Sequence, residues 1–142
     1  MNKIATTDFK RLIGVWKTSG HITTKSGTTK LSGMDTYELI LDGNYILHKA
    51  NVMMGDERSQ TFEIISLHHL TGKAKMHFFN SKNESGLMTG EFNNENFKIN
   101  GEGIKFNGTI NAKSTVILGN WYLQSKNNDW EQFIELKLEK QN

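Results

Sequence analysis

The chain contains no cysteine and no proline. Without thiols there can be no disulfide framework and no thiolate metal site. Long apolar runs are missing as well. The first residues, MNKIATTDFKRLIG, lack the hydrophobic stretch of a secretory leader, and no later segment is long enough to span a bilayer. A cytoplasmic protein with no membrane partner is the expectation. Nor is there an excess of charge of one sign: 17 Lys and Arg stand against 15 Asp and Glu, scattered along the sequence, for a net charge of +2. That balance, with no basic run, lacks the electrostatic footprint of nucleic-acid binding. The 142 residues fit one domain, residues 1–142, long enough to bury a real core.

What is present is turn chemistry. Thirteen glycines, with many Thr, Asn and Ile, punctuate the chain at nearly regular spacing. Thr7–Ile13 (TDFKRLI) predicts one short helical turn capped by Thr7 or Asp8, with Phe9, Leu12 and Ile13 on its apolar side. From Gly14-Val15-Trp16 onward about ten short strands follow, and no segment between them has the length and period of a crossover helix. The expected fold is all-β: a single up-and-down antiparallel barrel of about ten strands, because closure removes exposed sheet edges. A barrel of that size leaves a lumen larger than side chains alone fill.

The clearest hairpin is DTYELILDGNYILHKANVMM, Asp35 to Met54. Asp42-Gly43 suits a two-residue turn with positive φ, which pairs Leu41 with Asn44, Leu39 with Ile46, Tyr37 with His48 and Asp35 with Ala50. Alternation then places Leu41, Leu39, Tyr37, Ile46, His48, Ala50 and Val52 on one inward face. On the last strand the same alternation groups Trp130, Gln132, Ile134, Leu136 and Leu138 opposite Glu131, Phe133, Glu135 and Lys137, which leaves the two glutamates solvated.

Gly14-Val15-Trp16 after a helical turn resembles the G-x-W opening of lipocalins and their calycin relatives. In those barrels the indole closes one end against a basic residue of the last strand. LHHLTGKAKMHFFNS (Leu67–Ser81) is similar to the central hairpin of a bacterial lipocalin-like family of unknown function, with the Thr71-Gly72-Lys73 turn and the Phe78-Phe79-Asn80-Ser81 strand end matching. Leu67-His68-His69 stands where that family has aromatic-Asp-Pro. WEQFIELKLEK (Trp130–Lys140) resembles its last strand, with Glu135 and Lys140 at the acidic and basic positions. The resemblance implies a ten-stranded calycin barrel, akin in fold to fatty-acid-binding proteins and nitrobindins, and no catalytic residues. Nitrobindins hold haem through a histidine near the chain's end. The last histidine here is His77, so that site does not carry over and no cofactor is expected.

The expected function is binding of a small apolar or amphipathic molecule in the lumen. Tyr37 and His48 would orient its polar group, and Leu39, Ile46, Val52 and Trp121 would supply apolar contact. The alternative is a small cavity enzyme (isomerase, cyclase or lyase) with His48 as base and Tyr37 as acid. A third reading is an interaction module whose barrel is filled by its own side chains. A Tyr–His pair can also be purely structural, each group satisfying the other's buried polarity. On the ligand-binding reading, His48→Leu alters selectivity and leaves the fold intact. His68, His69 and His77 flank a turn and read as surface residues rather than metal ligands. His21 lies on the first strand with no assignable partner. No G-x-S-x-G motif is present, so nucleophilic catalysis has no support. A homodimer is compatible with the sequence, though no motif calls for one.

Overall fold

A computed structural model describes residues 3–141. Two 3-10 turns, Ile4–Thr6 and Asp8–Leu12, precede ten strands. These are β1 (Gly14–Thr24), β2 (Gly27–Ile40), β3 (Tyr45–Met54), β4 (Glu57–Leu67), β5 (Ala74–Asn80), β6 (Ser85–Asn93), β7 (Asn96–Asn100), β8 (Ile104–Ile110), β9 (Val116–Gln124) and β10 (Trp130–Gln141). Each strand pairs antiparallel with its sequence neighbours, and β1 pairs with β10, so the sheet closes as an up-and-down barrel. This is the architecture that the turn spacing predicts. None of the described helices is long and apolar enough to cross a membrane.

One end of the barrel is sealed by the N-terminal turns. Thr7 caps the second of them by accepting a hydrogen bond from the Phe9 amide at 3.2 Å. Its buried side, Phe9 and Leu12, meets the fully buried Trp16 indole, whose Nε1–H donates to the Leu12 carbonyl at 2.7 Å. Lys140, the register partner of Trp16 on β10, places its ammonium 4.9 Å from the indole centroid. Arg11 ties the same segment to two turns at that end, donating to Ser114 Oγ and to the carbonyls of Asn94 and Asn111. The indole is therefore a plug, held from above by the helical turn and from the side by the last strand.

The β2–β3 register is the one that the hairpin predicts: Tyr37 faces His48, Leu39 faces Ile46 and Asp35 faces Ala50. The turn is wider than two residues. Leu41, Asp42 and Gly43 all have positive φ (50°, 61° and 78°), so strand pairing stops at Ile40 and Tyr45. Leu41 thus leaves the sheet and is 68% exposed, not inward. A non-glycine residue in the left-handed region carries a steric penalty of about 1–2 kcal/mol. Leu41→Gly is accordingly expected to raise the unfolding free energy by about 0.5–1 kcal/mol after glycine's own entropy cost. Urea denaturation checks this, and a less stable variant would contradict the left-handed backbone at this position.

The last strand departs from simple alternation. A bulge between Gln132 and Ile134 shifts the register, so Phe133 and Ile134 both line the lumen. Before the bulge the parity is reversed: Trp130 does not line the lumen, is 39% exposed, and lies 4.2 Å from the Lys105 ammonium.

Candidate functional site

The barrel encloses a cavity of about 390 Å³. The cross-strand row Ile46, Ile65 and Met76, each 1% exposed or less, belongs to the packed core and not to the cavity lining. One wall, from β7 to β10, is wholly apolar. Phe97, Phe106 and Trp121 form a chain of aromatic contacts there, with centroids 5.9 and 5.2 Å apart. Gly108 and Gly119 face each other across β8 and β9 and leave room for the Phe106 ring, since a Cβ on either would lie within 2.6 Å of it.

The opposite wall, from β1 to β5, carries the polar groups. Because side chains directly opposite and diagonal across antiparallel strands meet, four neighbouring strands deliver one cluster. Tyr37 on β2 and Glu63 on β4 lie directly opposite His48 on β3, and Asp35 lies one diagonal step from it. The His48 Nε2–H donates to Asp35 Oδ2 at 2.6 Å, and its Nδ1–H donates to Glu63 Oε1 at 2.9 Å. Thr18 on β1 donates its hydroxyl to the other oxygen of Asp35. The Tyr37 ring stacks on the imidazole with centroids 4.0 Å apart and planes 7° from parallel. Asp35 and Glu63 are 7% and 5% exposed, so this is a charged cluster inside the barrel rather than a surface ion pair.

The protonation state follows from the geometry. An ionised carboxylate only accepts hydrogen bonds, so an imidazole held between two of them must carry a proton on both nitrogens. Burial works against that charge, but the hydrogen bonds to Asp35 and Glu63, together with their charges, outweigh it and lift the His48 pKa to about 9. Tyr37 is held neutral: burial raises its pKa, and the neighbouring charges of Asp35 and Glu63 raise it further. At neutral pH the wall therefore presents a neutral phenol and two carboxylates bridged by one imidazolium. His48 has no free lone pair with which to take a proton from a substrate.

The other residues singled out in the sequence divide into two groups. Val52 and Trp121 line the cavity with Tyr37 and His48. Ile46 is fully buried in the packed core and Leu39, near the wide turn, is 41% exposed, so both lie outside the lining. His68 belongs to its turn, with Nδ1 2.8 Å from the Thr71 hydroxyl, and His77 packs outward beside Phe79 at 4.7 Å. Among the described residues no group of three or more His, Asp or Glu is disposed to hold a metal ion. Asp35, Glu63 and Thr18 complete the cluster; the hairpin pattern alone does not single them out, although two turn registers point to the carboxylates. Asp35 has the same parity as Tyr37, and a Gly55-Asp56 turn sets Glu63 opposite His48.

No curated protein matches the sequence closely enough to lend it an activity. The strand order, the Trp16–Lys140 closure and the Thr71-Gly72-Lys73 hairpin instead accompany a family match that runs from residue 7 to residue 140. The chain belongs to the family described as "Protein of unknown function (DUF1579)".

Proposed function

We propose that this protein binds a small apolar or amphipathic molecule inside its barrel, in the manner of calycin-like carriers. The observation that carries the reading is the two-sided cavity: an aromatic and aliphatic wall faces a compact polar cluster across a space of about 390 Å³. Pockets of roughly 300–1,000 Å³ with mostly apolar linings and a few convergent polar groups are the usual form of a small-ligand site. Burial of the ligand's apolar part against Phe97, Phe106 and Trp121 supplies the affinity. Tyr37 and the Asp35–His48–Glu63 cluster orient its polar end.

A cavity enzyme with His48 as base finds less support. The imidazole is doubly protonated and both its N–H groups are engaged, so base catalysis would first require breaking the cluster. A module packed shut with its own side chains is disfavoured by the open volume.

Titration with Nile red, a neutral apolar dye, tests the reading. Saturable binding with quenching of tryptophan fluorescence is expected, since Trp121 lines the site. Val52→Phe, which projects a larger ring into the lumen, is expected to weaken that binding at least tenfold while leaving the far-ultraviolet circular dichroism unchanged. Equal binding by the variant would place the dye elsewhere and remove the support for a lumenal site.

A further inference from the structure

We infer that the cavity selects organic cations: molecules with a protonated amine on an apolar chain or ring. The inference rests on the ligand-binding reading above and adds the chemistry of the head group. The ionisable residues that line the lumen are Asp35, Glu63, His48 and the neutral Tyr37, with no lysine or arginine among the described lining residues. Two carboxylates against one imidazolium leave a net negative charge on the polar wall. Within a mostly apolar lining that charge favours a cationic ligand and opposes an anionic one more than it would at the surface.

The hydrogen-bond inventory points the same way. His48 satisfies one oxygen of each carboxylate, and Thr18 takes the second oxygen of Asp35. Glu63 Oε2 and the Tyr37 hydroxyl have no partner among the described residues, yet neither atom is sealed off from the cavity. Glu63 Oε2 can only accept, and the Tyr37 oxygen can accept as well. An ammonium, which donates three hydrogen bonds and accepts none, matches both. A carboxylate head group would meet the Tyr37 hydroxyl as its single free donor while facing Glu63 across the same space. On the opposite wall, the faces of Phe106 and Trp121 accommodate the apolar body and tolerate nearby positive charge.

Displacement of Nile red by octylammonium, octanol and octanoate at pH 7 separates the possibilities, because the three share one chain and differ in charge. The expected order on the wild-type chain is octylammonium, then octanol, then octanoate, with at least a tenfold gap between the first and the last. In Glu63→Gln, which keeps a hydrogen-bond acceptor and removes the charge, the ammonium-to-octanoate ratio is expected to fall about tenfold. The wild-type ranking decides the question even if that variant does not fold. Nile red bound but displaced best by octanol or octanoate would overturn the cation preference and leave the ligand-binding reading standing. Absence of any Nile red binding would overturn that reading, and this inference with it. A folded Glu63→Gln protein with an unchanged ratio would also overturn the inference, since the selectivity would then arise elsewhere.

Discussion

Replacing His48 by leucine is expected to lower the unfolding free energy by about 3–5 kcal/mol, the usual cost of removing one partner from a buried charged set. The hairpin taken alone implies a milder outcome, altered selectivity in an intact barrel, because it shows only a tyrosine opposite a histidine. The structure adds Asp35 and Glu63, both nearly fully buried and each bonded to one nitrogen of the ring. Without the imidazolium, two buried carboxylates face one space with no cation between them. Against a typical domain stability of about 5–15 kcal/mol the loss is large. Guanidinium denaturation measures it, and the triple variant Asp35→Asn, His48→Gln, Glu63→Gln provides the control. With the charges removed together and the polar shapes kept, most of the stability should return. A His48→Leu protein within about 0.5 kcal/mol of wild type would mean that the cluster contributes nothing to holding β2, β3 and β4 together.

The difference between those two expectations marks how far the sequence reaches. Local signals were sufficient for the barrel. Glycine- and asparagine-rich turns set the strand boundaries, and the Asp42-Gly43 hairpin gave the Tyr37–His48 register even though its loop opens by two residues. The register survives the wider turn because Leu41 and Asn44 leave the sheet symmetrically, so the parity of every paired residue is unchanged. Parity failed where the backbone was irregular. The bulge before Ile134 reverses the alternation for Trp130 and Gln132, and no residue type in the sequence announces it. Asp35 was within reach of the same parity rule that selected Tyr37, but an acidic residue on an otherwise apolar face reads as a strand end rather than as a buried charge. Glu63 required a second register, across β3 and β4, and its role became visible only once both carboxylates met the same imidazole. Hairpin registers are local; a site assembled from four strands depends on several of them at once.

The same cluster makes stability depend on pH in a defined window. The folded-state pKa of His48 is about 9, against an ordinary value near 6.5, so between these values the folded protein holds a proton that the unfolded chain has released. A raised pKa contributes stability that is fully present below about pH 6.5 and is lost as pH rises through about 9. Each unit of the difference corresponds to about 1.4 kcal/mol, so the expected loss between pH 6 and pH 9.5 is about 3 kcal/mol. Tyr37, whose pKa is raised by burial and by Asp35 and Glu63, extends the loss above pH 10, outside this window. Lys140, whose pKa is lowered by partial burial, acts with the opposite sign, since the penalty on its charged form lifts as it deprotonates. Urea denaturation midpoints at pH 6, 7.5 and 9 should therefore fall steadily for the wild-type chain and stay nearly level for His48→Gln. The imidazole proton resonances, followed by NMR, should titrate near pH 9 over the same range. A flat wild-type profile with a His48 titration near 6.5 would show the ring to be free of its carboxylates in solution. It would also remove the double protonation that separates a ligand-orienting His48 from a catalytic base.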